Sequence, residues 1–156
     1  MSQYMHFYVR RRDEFINLCE FSRNSYVYIA LQDLVVYEKI QPLTENDLGQ
    51  AKDFLKERIS ACKERIKRLQ EINRQIAQMT DSIDEKTHKI YQNMDEIKEY
   101  EGDIVELTDA LGCLSFLFAI YWDNDDWMWD TEKERKVPFL YVGIESSYNP
   151  SVNDIA

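Results

Sequence analysis

Apolar residues recur at alternating spacings of four and three between Leu55 and Leu111, in a stretch without proline and without glycine before Gly102. Such spacing keeps one seam of a helix against a partner helix and is typical of coiled coils. We therefore predict a coiled coil in the middle of the chain. The predicted seam positions are Leu55, Ile59, Cys62, Ile66, Leu69, Asn73, Ile76, Thr80, Ile83, Thr87, Ile90, Met94, Ile97, Glu101, Ile104, Thr108 and Leu111.

Polar residues interrupt this predicted seam at Asn73, Thr87, Glu101 and Thr108. Polar seam residues cost stability, but they can fix the register of the helices or the number of partners. Asn73 is the one amide in an otherwise aliphatic stretch, so we expect it to specify register.

The coiled coil can be one continuous helix or a hairpin that turns near Met79–Ser82. The unbroken seam favours one helix, whereas Thr80–Ser82 supplies helix-capping residues and Ser82 with Glu85 fits a capping box. The two halves, 45–79 and 83–122, are also nearly equal in length. Their charges are complementary: residues 45–79 carry eight Lys and Arg against six Asp and Glu, and residues 81–109 carry three against ten. We predict the hairpin.

The two ends of the chain contain aromatic and β-branched runs that predict short strands. Tyr4–Arg10 and Glu14–Phe21 predict a β-hairpin, and Pro138–Ser146 predicts a further strand. Ser25 is predicted to cap a short helix over Tyr26–Leu34, and Thr44 is predicted to cap the first long helix. We expect a connector over Val35–Pro42 and a loose tail over Tyr148–Ala156.

The predicted fold class is α+β, with a small antiparallel sheet of two to three strands on the base of a long antiparallel helical hairpin. Residues 111–122 are apolar around the whole helix, so this end must be buried on more than one side. Two or three short strands also need a helix to cover one face. We predict a single domain, in which residues 1–43 and 123–156 form the head and residues 44–122 form the arm.

Composition narrows the possible functions. The 156 residues carry a formal net charge of −10, which disfavours direct binding of nucleic acid, since phosphate contacts need clustered Lys and Arg. No signal peptide precedes the first strand, no apolar run is long enough to cross a membrane, and three separated cysteines form no disulfide framework. These features predict a cytoplasmic protein that does not bind membranes.

Few residues have the spacing that catalysis or cofactor binding requires. His6 and His88 lie 82 positions apart, and four glycines form no phosphate-binding loop. The acidic run at Asp123, Asp125 and Asp126 fails the calcium-loop pattern, because Met128 stands where glycine is required. We expect no cofactor, no metal site and no enzymatic activity.

Two clusters are candidate binding sites. Arg10, Arg11 and Arg12 form the one basic cluster, which is a charged turn or an anion-binding site. Aromatic and acidic residues are concentrated after the long helices, and Trp and Tyr beside charge are common in protein interfaces. The partner-binding candidates are Tyr121, Trp122, Asp123, Asp125, Asp126, Trp127 and Trp129.

The sequence thus predicts a non-enzymatic cytoplasmic binding protein that acts through protein–protein contacts. We expect a homodimer or higher oligomer, because open sheet edges and an apolar helix end invite a partner. The alternative is a small acidic inhibitor that occupies a basic nucleic-acid-binding site or sequesters a nucleotide signal. In either case a basic partner protein suits the acidic surface of this chain.

Overall fold

A computed structural model describes residues 3–36, 38–80, 82–122, 140–144 and 150–156; for residues 118 and 120–122 it describes the backbone only. Short 3₁₀ helices occupy Gln32–Leu34 and Val152–Asp154. The strands and α-helices are β1 (Tyr4–Arg11), β2 (Glu14–Ser22), α1 (Tyr26–Leu31), β3 (Ile40–Pro42), α2 (Glu45–Ala77), α3 (Ile83–Trp122) and β4 (Leu140–Ile144).

The four strands form one sheet in the order β2-β1-β4-β3, and every neighbouring pair is antiparallel. In the β1–β2 hairpin, Phe7 pairs with Cys19 and Tyr8 with Asn17, so Leu18 is the extra residue of a β-bulge. β3 lies inside the segment predicted to be a connector. Its three residues are too few to show the alternation of apolar and polar positions by which strands are recognised.

Both faces of the central strands are buried. Five consecutive residues of β1, Met5–Val9, are buried, and so are all five of β4. On one face Tyr8, Phe15, Ile40 and Tyr141 form a buried cluster. Because adjacent residues of a strand point to opposite faces, a continuous buried run means that the sheet is the centre of the core.

The end of the chain packs on this cluster, so the prediction of a loose tail is wrong for residues 150–156. Ile155 contacts the cluster and forms a parallel bridge with Ile40. The Ala156 amide donates to the Ile40 carbonyl at 2.8 Å, and a capping box between Ser151 and Asp154 orders the preceding turn. The hydrogen bond from Ala156 and the bridge from Ile155 both reach Ile40 of β3, the shortest strand of the sheet.

The predicted helix caps are confirmed. The Ser25 hydroxyl accepts a hydrogen bond from the Val27 amide at 3.2 Å, and α1 follows. Thr44 and Asp47 form a reciprocal capping box, with the Thr44 amide 3.0 Å from Asp47 Oδ2 and the Asp47 amide 3.1 Å from Thr44 Oγ1. These bonds satisfy amides that have no partner within the first turn of a helix.

The two long helices form an antiparallel hairpin, which confirms the predicted fold class. α2 ends at Ala77, and the Ser82 hydroxyl accepts from the Glu85 amide at 3.3 Å where α3 begins. The Lys86 ammonium group donates to the Ala77 carbonyl at 3.3 Å and closes the turn. Ion pairing between the helices, predicted from their opposite charge, is present between Arg65 and Glu96 at 3.4 Å.

The predicted seam is confirmed on α2 and only in part on α3, where Ile90, Ile97, Ile104 and Leu111 are half-buried as expected. On α2 all seven predicted positions from Leu55 to Ile76 are buried or half-buried. On α3, Ile83, Thr87, Met94, Glu101 and Thr108 are exposed instead. The seam of α3 follows Ile90, Asn93, Ile97, Tyr100, Ile104, Leu107, Leu111 and Leu114. Asn93, Tyr100 and Leu107 thus replace Met94, Glu101 and Thr108, each one residue earlier in the chain, after the hairpin turn that separates the two helices.

The chain divides into two compact units, residues 1–54 with 110–156 and residues 55–109. The first contains the sheet, α1 and the adjoining ends of the long helices, and the second contains the remainder of the hairpin. The predicted boundaries of head and arm stay a prediction. Within the described residues, no helix has the length and hydrophobicity needed to cross a membrane.

Candidate protein-docking surface

The corrected phase of α3 leaves a row of large apolar side chains in solvent. Tyr91, Met94 and Val105 have 61%, 42% and 61% of their surface exposed. Their spacings place them on one side of the helix, with Lys98 and Glu101 between them. We call these five residues the α3 stripe. The predicted seam includes Met94 and Glu101, so this surface was not predicted from the sequence.

A cleft of about 320 Å³ lies beside the α3 stripe, between the two helices. Gln70 and Asn73 line it from α2, and Met94, Ile97, Lys98 and Glu101 line it from α3. A cleft between two helices, with apolar and polar groups in its walls, is a candidate site for the side chains of a third helix.

The floor of the hairpin beside this cleft is fixed by an amide pair. The Asn93 side-chain amide donates to Asn73 Oδ1 across the seam at 2.8 Å. Both residues are half-buried. Asn73 therefore has a specific partner on the facing helix, which agrees with the expectation that it sets the register of the hairpin.

A double-mutant cycle measures this pair. We expect Asn73→Ala and Asn93→Ala each to lower the free energy of unfolding, with a coupling between them of about 1 kcal/mol, because each single change leaves one half-buried amide without its partner. Denaturant unfolding monitored by circular dichroism gives the four free energies. A coupling of zero would show that the hydrogen bond does not hold the register.

The basic cluster predicted as an anion site lies at the β1–β2 turn, and Arg10 there is engaged within the chain. Its Nη1 donates to the Tyr141 hydroxyl at 2.7 Å, its Nε donates to the Arg12 carbonyl at 2.7 Å, and its Nη2 lies 3.6 Å from Asp13 Oδ1. The guanidinium carbon also stands 5.5 Å from the ring centre of Phe15. These contacts join the turn to the sheet core. Anion binding by Arg10, Arg11 and Arg12 stays a prediction.

His6 is buried on the same face of the sheet. Its Nδ1 is 3.1 Å from the Asn17 side-chain amide and 3.4 Å from Glu20 Oε2. Asn17 and Glu20 are thus its two side-chain partners on β2, and the tautomer of the ring sets which of them it bonds. These contacts hold the imidazole of β1 against β2. Within the described part of the chain, no group of three or more His, Cys, Asp or Glu side chains is placed to hold a metal.

The three cysteines are free thiols, and two of them have raised pKa values. Burial, and then the charge of Cys113, raise the pKa of Cys19 to about 11. Burial likewise raises the pKa of Cys62, with a smaller contribution from Asp103. Both thiols therefore stay protonated at neutral pH, and a protonated thiol is a weak nucleophile.

The predicted aromatic and acidic partner-binding residues cannot be placed on a surface. Tyr121 and Trp122 end α3, and their side chains lie outside the described residues. Asp123, Asp125, Asp126, Trp127 and Trp129 also lie outside the described residues. Their role in binding stays a prediction.

Comparison with known proteins identifies a family that the central part of the chain matches. A model of the family Med9, RNA polymerase II transcription mediator complex subunit 9, matches residues 26–104. The matched segment contains α1, β3, all of α2 and the first half of α3, and hence every residue that lines the cleft. No curated protein and no solved structure matches the chain.

Proposed function

Because the chain belongs to the family of RNA polymerase II transcription mediator complex subunit 9, we propose that it is a non-catalytic subunit that binds other proteins of that complex through its helical hairpin. The prediction of a protein that acts through protein–protein contacts agrees with the family. A non-enzymatic role is compatible with the family as well.

The predicted cytoplasmic localisation is wrong. The family to which the chain belongs is a subunit of the mediator complex of RNA polymerase II, which is nuclear. The prediction rested on the lack of a signal peptide and on reduced cysteines. Both features are equally compatible with a nuclear protein, because the nucleus also keeps thiols reduced.

The observation that carries the proposal is the position of the family match. Residues 26–104 include α2, the first half of α3 and the cleft between them, and they exclude β1, β2 and β4. The part of the chain that the family shares is therefore the part with the cleft and with Tyr91 and Met94 of the exposed row, and Val105 follows it directly. The family lends no support to self-association or to the acidic inhibitor, so neither is proposed here.

Co-purification tests the proposal. The full-length chain with an affinity tag is isolated from a nuclear extract of cells that express it, and mass spectrometry identifies the bound proteins. We expect other subunits of the RNA polymerase II mediator complex in stoichiometric amounts. Recovery of the chain alone, or with proteins unrelated to transcription, would contradict the proposal.

A pair of substitutions locates the contact. Met94→Glu places a charge on the α3 stripe and is expected to reduce recovery of the complex, because a desolvated carboxylate is costly in an apolar contact. Ile16→Glu is the matched control, since Ile16 is 55% exposed on β2, outside the family match. Helical content measured by circular dichroism should be unchanged in both variants.

A further inference from the structure

We propose that the cleft of the hairpin accepts one amphipathic helix of a partner protein, whose apolar row is bordered by Asp and Glu on the side that faces α2. The inference rests on the proposed function and adds the chemistry of the partner. Its evidence is the distribution of charge and apolar surface on the two sides of the hairpin.

The wall that α2 contributes to this surface is basic. Gln70 lines the cleft, and residues at helical spacing from it share its side of the helix. These are Lys63, Lys67 and Arg74, with Lys56 one heptad before Lys63, and all four are exposed. None of the positions on this row is occupied by an acidic residue. We call Lys63, Lys67 and Arg74 the α2 basic row.

The wall that α3 contributes is apolar. It consists of the α3 stripe. Tyr91 and Met94 lie at one end of the stripe and Val105 at the other, with one cation, Lys98, and one carboxylate, Glu101, between them. The distance from Tyr91 to Val105 along the helix is about 21 Å at 1.5 Å per residue, so a partner helix of about four turns spans the surface.

Two carboxylates of α3 lie on the other side of the seam. Glu96 pairs with Arg65 on the opposite side of the seam, away from Gln70 and Met94. Asp103 follows Glu96 at a spacing of seven and so lies on that same opposite side. The chain carries a net charge of −10, yet the surface beside the cleft bears four cations, Lys98 and the three of the α2 basic row, against two carboxylates, Glu101 and the Glu71 that pairs with Arg74.

Charge complementarity therefore selects the partner. A helix that packs its apolar residues on the α3 stripe places one flank beside the α2 basic row, where Asp and Glu gain attraction and Lys and Arg meet like charge. This is opposite in sign to the basic partner that the net charge predicts. A second copy of the chain is the competing occupant, because its own α3 is acidic.

Two synthetic peptides test the inference with the full-length protein. Both are helical, about 28 residues long and carry Leu at the seam positions of four heptads, with Glu at the flanking positions in one and Lys in the other. Fluorescence anisotropy measures the Kd of each at low and high salt. We expect the Glu-flanked peptide to bind about tenfold more tightly or better, with an advantage that decreases as salt rises.

Charge reversal supplies the control. The triple variant Lys63→Glu, Lys67→Glu and Arg74→Glu should reverse the preference, whereas Arg68→Glu, on the opposite side of α2, should leave it unchanged. Equal binding of the two peptides, or binding of neither, would overturn the inference. Sedimentation that shows a dimer disrupted by the triple variant would also overturn it, since a second copy then occupies the cleft.

The two proposals fail separately. If the wild-type chain co-purifies with mediator subunits and the triple variant does so equally well, the proposed function stands and the acidic partner helix is wrong. If no mediator subunit co-purifies but the Glu-flanked peptide binds, the docking chemistry stands and the proposed function is wrong.

Discussion

Replacing Leu107 with alanine is expected to lower the free energy of unfolding by about 2–5 kcal/mol, because removal of a fully buried side chain leaves a cavity in the helix seam. Leu107 has 1% of its surface exposed. Urea unfolding monitored by circular dichroism at 222 nm, a wavelength dominated by helix, measures the change.

Thr108→Ala is the matched control, because Thr108 is the neighbouring residue and is exposed. A substitution at an exposed position changes stability by about 0.5 kcal/mol or less. The pair thus distinguishes the two phases of α3 directly. A large loss at Thr108 with a small loss at Leu107 would restore the phase predicted from the sequence and remove the α3 stripe.

Phe7→Ala is expected to lower the free energy of unfolding by about 3–5 kcal/mol, since a buried aromatic ring is lost from the centre of the sheet. Phe7 is fully buried and pairs with Cys19 on β2 and Val142 on β4. Its ring also meets the Phe21 ring edge-to-face, with 5.7 Å between their centres. Such ring pairs contribute about 0.5–1.5 kcal/mol beyond the area that they bury.

Ile16→Ala on the exposed part of β2 is the control for Phe7→Ala. It removes an aliphatic side chain from the same sheet, but one that is largely in solvent. Near-equal losses in the two variants, measured by denaturant unfolding followed by tryptophan fluorescence, would contradict the description of β1 as the buried centre of the fold.

Local signals in the sequence predicted most elements of the fold. Ser25, Thr44 and Ser82 were recognisable as caps because a short oxygen-bearing side chain before an apolar run satisfies the free amides of a first turn. The same signal separated the hairpin from a continuous helix. The structure places each cap where the sequence analysis expected it.

Features that depend on distant contacts were missed. β3 is a strand because Ile40 and Pro42 pair with Gly143 and Tyr141, about a hundred residues later. The tail is ordered because Ile155 reaches the same cluster. Neither pairing leaves a periodic pattern in its own segment. Tyr100 and Leu107 are apolar residues one position before the predicted Glu101 and Thr108, and they indicate the observed seam of α3. The prediction instead continued the spacing of α2 through the turn.

The docking surface is a consequence of that phase. The predicted seam included Met94, and Val105 was not assigned to any surface. Both are exposed because Leu107, and not Thr108, is buried in the seam. The net charge was also misleading, because it hides the uneven distribution of charge over the surface. The sum over the chain is negative, whereas Lys63, Lys67 and Arg74 lie together beside the cleft.

Hydroxyl-radical footprinting of the free chain and of the purified complex tests most directly whether the α3 stripe is the contact surface. Tyr91 and Met94 are exposed and have side chains that oxidise readily, and Met79 at the hairpin turn, 48% exposed, is an internal reference. The account predicts that oxidation of Tyr91 and Met94 falls several-fold in the complex while that of Met79 changes little. Unchanged oxidation of Tyr91 and Met94, with protection confined to other residues, would contradict it.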